Sequence, residues 1–205
     1  MKHEELVPAN APPWGAFRPT KAAALCIGVI KHGLVRGSLR RPLFRVLAKL
    51  GPSFDIEVSS GLRLRCRIGD NAADRHMLYG SRGLKDIARI TRDLAPGDTF
   101  VDLGANVGIF AVHAAKAVGP EGCVLAVEPS PVMLERLRFN VNANGFKNVR
   151  IAPVAVGDAQ GQAQLHTFAN SHGGASLHAL PGSSSDLIVP VESLISLLAA
   201  HGIER

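Results

Sequence analysis

Apolar residues follow two rhythms along this chain of 205 residues. At Leu43, Val46, Leu47 and Leu50 they recur at three- and four-residue spacing, which predicts an amphipathic helix over Pro42 to Leu50. Lys21 to Val35 reads as a helix before it, with Gly37-Ser38 between the two. The rhythm then shortens to period two. Phe54 to Val58 and Leu62 to Ile68 alternate around Ser59-Ser60-Gly61, which predicts a β-hairpin with one wet, charged face holding Arg63, Arg65 and Arg67. Asp70 to Asp93 reads as largely helical with breaks near Gly80 and Gly83, before a turn at Pro96-Gly97-Asp98.

From Thr99 the chain changes again, to short continuous apolar runs. Thr99–Leu103, Cys123–Val127 and Asn148–Val156 read as buried strands, separated by the helices Ile109–Val118 and Pro131–Ala143. Ser130 and Pro131 suit the start of the second helix, and Asn144-Gly145 suits its end. Such alternation predicts an α/β fold with an open, mainly parallel sheet. Gln162 to Phe168 extends the sheet, Ala169 to Asp186 reads as a Gly/Ser/His loop, and a strand Leu187–Val191 precedes a helix from Glu192 to about Ala200.

Composition divides the chain unevenly. Residues 1–50 hold nine Lys/Arg against Glu4 and Glu5, whereas the remainder holds 14 basic and 15 acidic residues. We therefore read 1–50 as a basic N-terminal extension, with a Pro-rich structureless start over 1–20, and 51–205 as the α/β domain. The extension could touch an anionic membrane surface or nucleic acid, although a solvated basic face on packing helices is the simpler account of the charge. No nucleic-acid partner is expected of the hairpin arginines, because no aromatic residues interleave with them to stack bases. No apolar run reaches the roughly 18 to 20 residues of a membrane span. Cys26, Cys66 and Cys123 are too scattered for a disulfide framework or a metal knuckle, so a cytoplasmic setting is the default.

The chemistry points to one turn. After Thr99–Leu103, the residues Gly104, Asn106 and Gly108 stand at alternate positions before the Ala-rich helix. Glycine tolerates positive φ and lets a ligand approach the backbone, and asparagine is the next most tolerant residue. Glu128 ends the following strand, 24 residues beyond Gly104, where a carboxylate can accept hydrogen bonds from both hydroxyls of a ribose. A dinucleotide site wants Gly-x-Gly-x-x-Gly to hold a pyrophosphate; the spacing here differs, and a nicotinamide-dependent oxidoreductase is disfavoured on that ground.

With Asp102 two residues before Gly104, this turn resembles motif I of the class I S-adenosylmethionine methyltransferases. The longer run Pro96 to Gly108 is similar to the signature of the FkbM family within them. So are Ala126-Val127-Glu128-Pro129-Ser130-Pro131, Asn140-Val141 with Asn144-Gly145, and Ala155-Val156-Gly157-Asp158 with Gly161. The resemblance implies a Rossmann-like fold and a methyltransferase that uses S-adenosyl-L-methionine to methylate a hydroxyl of a sugar, glycan or secondary metabolite. It implies that Asp102, Gly104, Ala105, Asn106 and Gly108 line the methionine end of the cofactor. Glu128 would then hold the ribose, and Ala155 and Val156 would lie near the adenine. Asn140 and Asn144 read as caps or turn residues rather than ligands. Two departures stand out: Ile195 occupies a position that is usually acidic, and family members continue into a further strand where this chain reaches Arg205. Without that strand one side of Thr99–Leu103 would lack ladder partners, at about 1–3 kcal/mol for each buried group. The sequence on this reading is C-terminally truncated, marginally stable and inactive.

Methyl transfer to oxygen needs alignment, exclusion of water and help in removing a proton. His166, His172 and His178 are the candidates for a base, with His172 foremost because of its Gly-rich surroundings; His113, on the Ala-rich helix, is not catalytic on this reading. No His, Asp or Glu spacing suggests a metal. The alternative to an enzyme is a remnant that binds the cofactor or a partner without catalysis. Neither the acceptor nor the oligomeric state is indicated.

Overall fold

The computed structural model describes residues 12–35, 37–58, 61–69, 74, 77–78, 85–168, 171–179 and 181–203, and of residues 38, 171–173, 185 and 186 the backbone alone. Two helices open the described chain, α1 (Lys21–Lys31) and α2 (Arg40–Leu50), joined through a 3₁₀ turn at Gly37–Leu39. Thr20 caps α1, its hydroxyl accepting from the Ala23 N–H at 3.3 Å. Ala23 and Ile30 of α1 and Leu47 of α2 are buried in the same core as the hairpin and the parallel sheet. The hairpin follows as β1 (Ser53–Glu57) and β2 (Arg63–Arg67), paired antiparallel with Phe54 opposite Cys66 and Ile56 opposite Leu64. Of the helical stretch expected over Asp70–Asp93, α3 (Lys85–Asp93) is seen; most of 70–84 lies outside the described residues.

The parallel sheet forms as expected. β3 (Thr99–Leu103), β4 (Cys123–Val127) and β5 (Val149–Ala152) pair in that order, with α4 (Ile109–Val118) and α5 (Pro131–Ala143) as crossovers. α4 is apolar nearly all round, and Ala111, Val112, Ala114, Ala115 and Val118 are fully buried. Its small side chains let the helix backbone approach the sheet closely. Among the described residues β3 pairs on one side only, with β4.

A second sheet has the order β6-β9-β7-β8, built from β6 (Ala155–Val156), β7 (Gly161–Phe168), β8 (Ser171–Ser176) and β9 (Ser184–Glu192), and α6 (Leu194–Ala200) follows it. Two expectations are corrected here. The run 148–156 is not one strand: it breaks at Pro153, which has no N–H to donate to a ladder, so β5 stays in the parallel sheet while β6 pairs with β9. Nor is 169–186 a loop, because β8 pairs back on β7 and β9 begins at Ser184. Glycine and serine there have no apolar alternation to betray a strand, and cross-strand backbone pairing makes it nonetheless.

The other corrections concern the hairpin. Its arginine face is only partly wet: Arg63 stays exposed, but Arg65 is covered. Residues 14–17 form a turn that lies across it rather than continuing a structureless start: Gly15 and Phe17 N–H donate to Oδ2 of Asp55 at 2.7 and 3.2 Å, and the Asp55 N–H donates to the Phe17 carbonyl at 2.8 Å. Arg65 forms a two-pronged ion pair with Asp55, at 2.7 and 2.9 Å, and donates to the carbonyls of Pro12 and Pro13. Its guanidinium lies over the rings of Phe17 and Phe139, 4.7 and 3.8 Å from their centroids.

Candidate functional site

The turn after β3 is built by backbone conformation before any side chain is considered. Gly104, Asn106 and Gly108 have φ of 78°, 54° and 84°, and Asn106 is the sole non-glycine residue with positive φ among those described. Asparagine adopts this region at little cost because its short amide bonds locally; here Oδ1 of Asn106 accepts from the Val107 N–H at 2.8 Å. The N–H groups of Gly104 and Ala105 both donate to the Val127 carbonyl, each at 2.9 Å, which fastens the turn to the end of β4. The two glycines differ in purpose. A Cβ on Gly108 would collide with Cδ1 of Leu137 on α5, so that glycine permits helix packing. A Cβ on Gly104 would meet nothing within 4 Å. The space beside Gly104 is open.

Two carboxylates border this turn. Glu128, 5% exposed, follows β4, and its Oε2 accepts from the Asn106 N–H and its Oε1 from the Ser130 N–H, both at 2.8 Å. It therefore faces the turn and ties it to the start of α5. Asp102, 8% exposed, lies near the end of β3, and its Oδ2 is buried without a hydrogen-bond partner among the described residues. Burial pushes the Asp102 carboxyl up to about 6; the Ala111 N–H opposes that rise and the negative charge of Glu128 adds to it. Burial also pushes Glu128 up, against the pull of the Ser130 and Asn106 N–H groups. Two buried carboxylates thus border one turn, with no cationic partner among the described residues.

A tie beneath the turn was missed by the sequence reading. Asn140 is fully buried, donates from Nδ2 to the Val107 carbonyl at 2.8 Å and accepts on Oδ1 from the Arg65 N–H at 2.9 Å. One helical turn on, Asn144 accepts from the Arg63 N–H and donates to the Arg63 carbonyl, each at 2.8 Å. Asn140 is not a cap, whereas Asn144 is the C-cap of α5 as expected, and its Nδ2 also donates to the Asn140 carbonyl at 2.7 Å. Together the two stand in for a strand along the free edge of β2, and Asn140 joins that edge to the turn. The available signal was their four-residue spacing on the helix face that also carries Met133 and Leu137, where an amide must find partners.

The remaining expected residues are scattered. Ala155 is buried beside Leu165 and Val191 in the second sheet, and Val156 packs against the cluster of Leu125, Val127 and Leu197 that Val101 also joins. No hydrogen bond links either residue to the turn. His113 is buried with Nδ1 2.7 Å from the Ile109 carbonyl, and burial lowers its basicity. His172 lies on β8, and its side chain is outside the described part.

Residues 102–200 match the family model of the methyltransferase FkbM domain. That match covers just under half of the chain and supports an FkbM-like methyltransferase domain there. This family assignment supports S-adenosyl-L-methionine as the cofactor. The domain is also similar to an arsenite methyltransferase of Halobacterium salinarum, at 43% identity over 56 residues, which are 27% of this chain and 14% of that protein. A protein-L-isoaspartate O-methyltransferase of Ignicoccus hospitalis is 39% identical over 66 residues, 32% of this chain and 30% of that one. The matched stretches thus span less than a third of these curated relatives. Among solved structures, Trm5b from Pyrococcus abyssi aligns over 51% of this chain and 30% of its own, with 19% identity and a TM-score of 0.40. An S-adenosylmethionine-dependent O-methyltransferase from Thermotoga maritima aligns over 58% and 47%, with 25% identity and a TM-score of 0.35.

Proposed function

We propose that the chain binds S-adenosylmethionine at the 104–108 turn and transfers its methyl group to a hydroxyl oxygen of a sugar, glycan or secondary metabolite. The observation that carries this reading is the uncompensated pair Asp102 and Glu128. Burial, and at Asp102 also the charge of Glu128, disfavours their charged forms, and a ligand that brings positive charge and hydroxyl donors relieves both. S-adenosylmethionine has both, an ammonium and a sulfonium on its methionine part and two hydroxyls on its ribose. When bound it supplies an electrophilic methyl group.

The chain's residues then divide the work. Asp102, with the backbone of Gly104, Ala105, Asn106 and Gly108, holds the methionine end; the open space at Gly104 suits close approach of a ligand to the backbone. Glu128 keeps its two N–H partners and offers each oxygen's second lone pair to the ribose. Ala155 and Val156 border the adenine. Residues 51–205 form the catalytic part on this reading, and 1–50 a basic extension. Catalysis rests mainly on alignment and exclusion of water.

Calorimetric titration with S-adenosylmethionine, S-adenosylhomocysteine and NAD tests the binding step. Saturable binding of the first two and none of NAD is expected, with Asp102→Asn weakening it about tenfold or more, the value of a lost hydrogen bond to a charged group. Binding of NAD alone would overturn the reading. Methyl-labelled cofactor offered with a panel of hydroxylated sugars tests the transfer; binding without transfer to any acceptor would leave a non-catalytic cofactor-binding module instead.

A further inference from the structure

The most one-sided charge in the molecule lies far along the chain from the methyltransferase turn. No acidic residue occurs between Glu5 and Asp55, and within that span α2 reads Arg40-Arg41-Pro42-Leu43-Phe44-Arg45-Val46-Leu47-Ala48-Lys49-Leu50. Leu47 is its buried anchor. At 100° per residue, Arg41, Arg45 and Lys49 fall opposite Leu47, on the outward side. Arg40, Arg41 and Arg45 also line a cavity of about 520 Å³, whose apolar wall is Phe44, Ala48 and Ile68. No ion pair is seen for Arg41 or Arg45 among the described residues.

Helix chemistry argues against this arrangement having arisen for stability. Arg40 and Arg41 stand in the first turn of α2, at the positive end of its dipole, with no acidic residue in that turn and no side-chain cap from Leu39. Cations there are unfavourable, and an anion is what the position prefers. Large aliphatic side chains are exposed around it as well: Leu34 at 75%, Leu39 at 69%, and Val46 and Leu50 on the flank of α2. Clustered exposed aliphatics beside clustered arginines are the mark of a surface that meets something both anionic and apolar.

We propose that this face docks on an anionic phospholipid bilayer. The lipid phosphates meet the exposed Arg41 and Arg45 at the cavity, beside Arg40, whose Nε donates to the Val35 carbonyl, while Leu34 and Leu39 enter the boundary between headgroups and acyl chains. Nucleic acid is the lesser fit, because the one aromatic side chain at the cavity, Phe44, is half-buried in its wall and aliphatic residues do not stack on bases. No described helix is long and apolar enough to cross a membrane, so the association is peripheral and reversible. This inference is independent of the methyltransferase reading.

Co-sedimentation of the full chain with vesicles tests it, using phosphatidylcholine alone and phosphatidylcholine mixed with phosphatidylglycerol. Sedimentation is expected with the mixed vesicles only, and high salt should reverse it. Each arginine near such a surface contributes about a fivefold change in partitioning, so the double variant R41Q/R45Q should bind roughly twentyfold less well. Both side chains are exposed and Arg41 is unfavourable to the helix, so the thermal midpoint should not fall. L34S/L39S should weaken binding about tenfold or more without changing its salt dependence. Absence of phosphatidylglycerol-dependent sedimentation, or binding that R41Q/R45Q leaves intact, would overturn the proposal. So would displacement of vesicle-bound protein by a DNA duplex or RNA strand that binds through the same arginines, which would reassign the face to nucleic acid.

Discussion

Asp55 and Glu128 do the same mechanical job in two places. Each is a nearly buried carboxylate that fastens a loop by accepting two backbone N–H groups, those of Gly15 and Phe17 in one case and of Asn106 and Ser130 in the other. What differs is the cation. Burial pushes Asp55 up, but the Arg65 guanidinium and the Phe17 and Gly15 N–H groups outweigh it and hold the carboxyl below its usual range. Among the described residues Glu128 and its neighbour Asp102 have no such partner, and both are raised. The first site is complete within the protein. The second shows no cation among the described residues, and on the function proposed above a bound ligand would supply one.

The largest effect should come from removing the cation where it is present. Arg65→Met leaves the Asp55 charge buried with two N–H donors and no counter-ion, a loss of about 3–5 kcal/mol read as a lower denaturant midpoint. The double variant Asp55→Asn with Arg65→Met should recover much of that loss, because the buried charge goes as well. Equal destabilisation in the single and double variants would mean that stacking on Phe17 and Phe139, not charge, holds Arg65.

Next in size is a steric prediction on the turn. Gly108→Ala combines a strained positive φ with a collision against Leu137, costing roughly 2–4 kcal/mol in all. Gly104→Ala carries the strain alone, about 1–2 kcal/mol, yet intrudes on the open space and should weaken cofactor binding more than its effect on stability suggests. If the two variants lost stability equally, the distinction between a packing glycine and a ligand-facing glycine would fail.

How much of this could be read in advance depended on whether local chemistry carried the information. The parallel strands, the positive-φ turn and Glu128 were legible because each rests on residues close in sequence: apolar runs, alternating Gly and Asn, an acid ending a strand. The hairpin face was misread because its partners come from afar. Arg65 meets Pro12, Pro13, Phe17 and Phe139, and period two cannot foresee which segment will cover a charged face. β8 was missed for the opposite reason, since Ser171–Ser176 has almost no side-chain signal and pairs through backbone alone. Asn140 was named but misassigned, because spacing shows which face a residue is on and not what it meets there.

A carboxylate without a cation also makes a signed prediction about pH. Asp102 is raised from 3.8 to about 6, so the folded chain holds a proton that the unfolded chain releases, and stability falls as pH rises across that interval. The cost at neutral pH is about 3 kcal/mol as an upper bound. Glu128 acts in the same direction. Asp55 has the opposite sign: its contribution is present above its unfolded value and is lost as pH falls below about 4. Asp102→Asn should therefore raise the thermal midpoint at pH 7, remove most of the decline between pH 4 and 6, and weaken the cofactor. Stability and binding moving together would break the contrast with Asp55.

The smallest effect expected is the coupling between the two regions, and Asn140 is where it would pass. Its amide accepts from the Arg65 N–H on one side and donates to the Val107 carbonyl on the other, within a fully buried site. If this bond pair transmits strain, Arg65→Met should lower cofactor affinity slightly, about twofold to fivefold, although Arg65 belongs to the completed region. In an Asn140→Ala background the same substitution should leave affinity unchanged, because the link has already been cut. Comparing the four dissociation constants as a double-mutant cycle isolates that interaction, for which about 0.5–1 kcal/mol is expected. A coupling of zero would make the hairpin and the turn independent units that share a core. A coupling that survives Asn140→Ala would place the route through α5 packing instead.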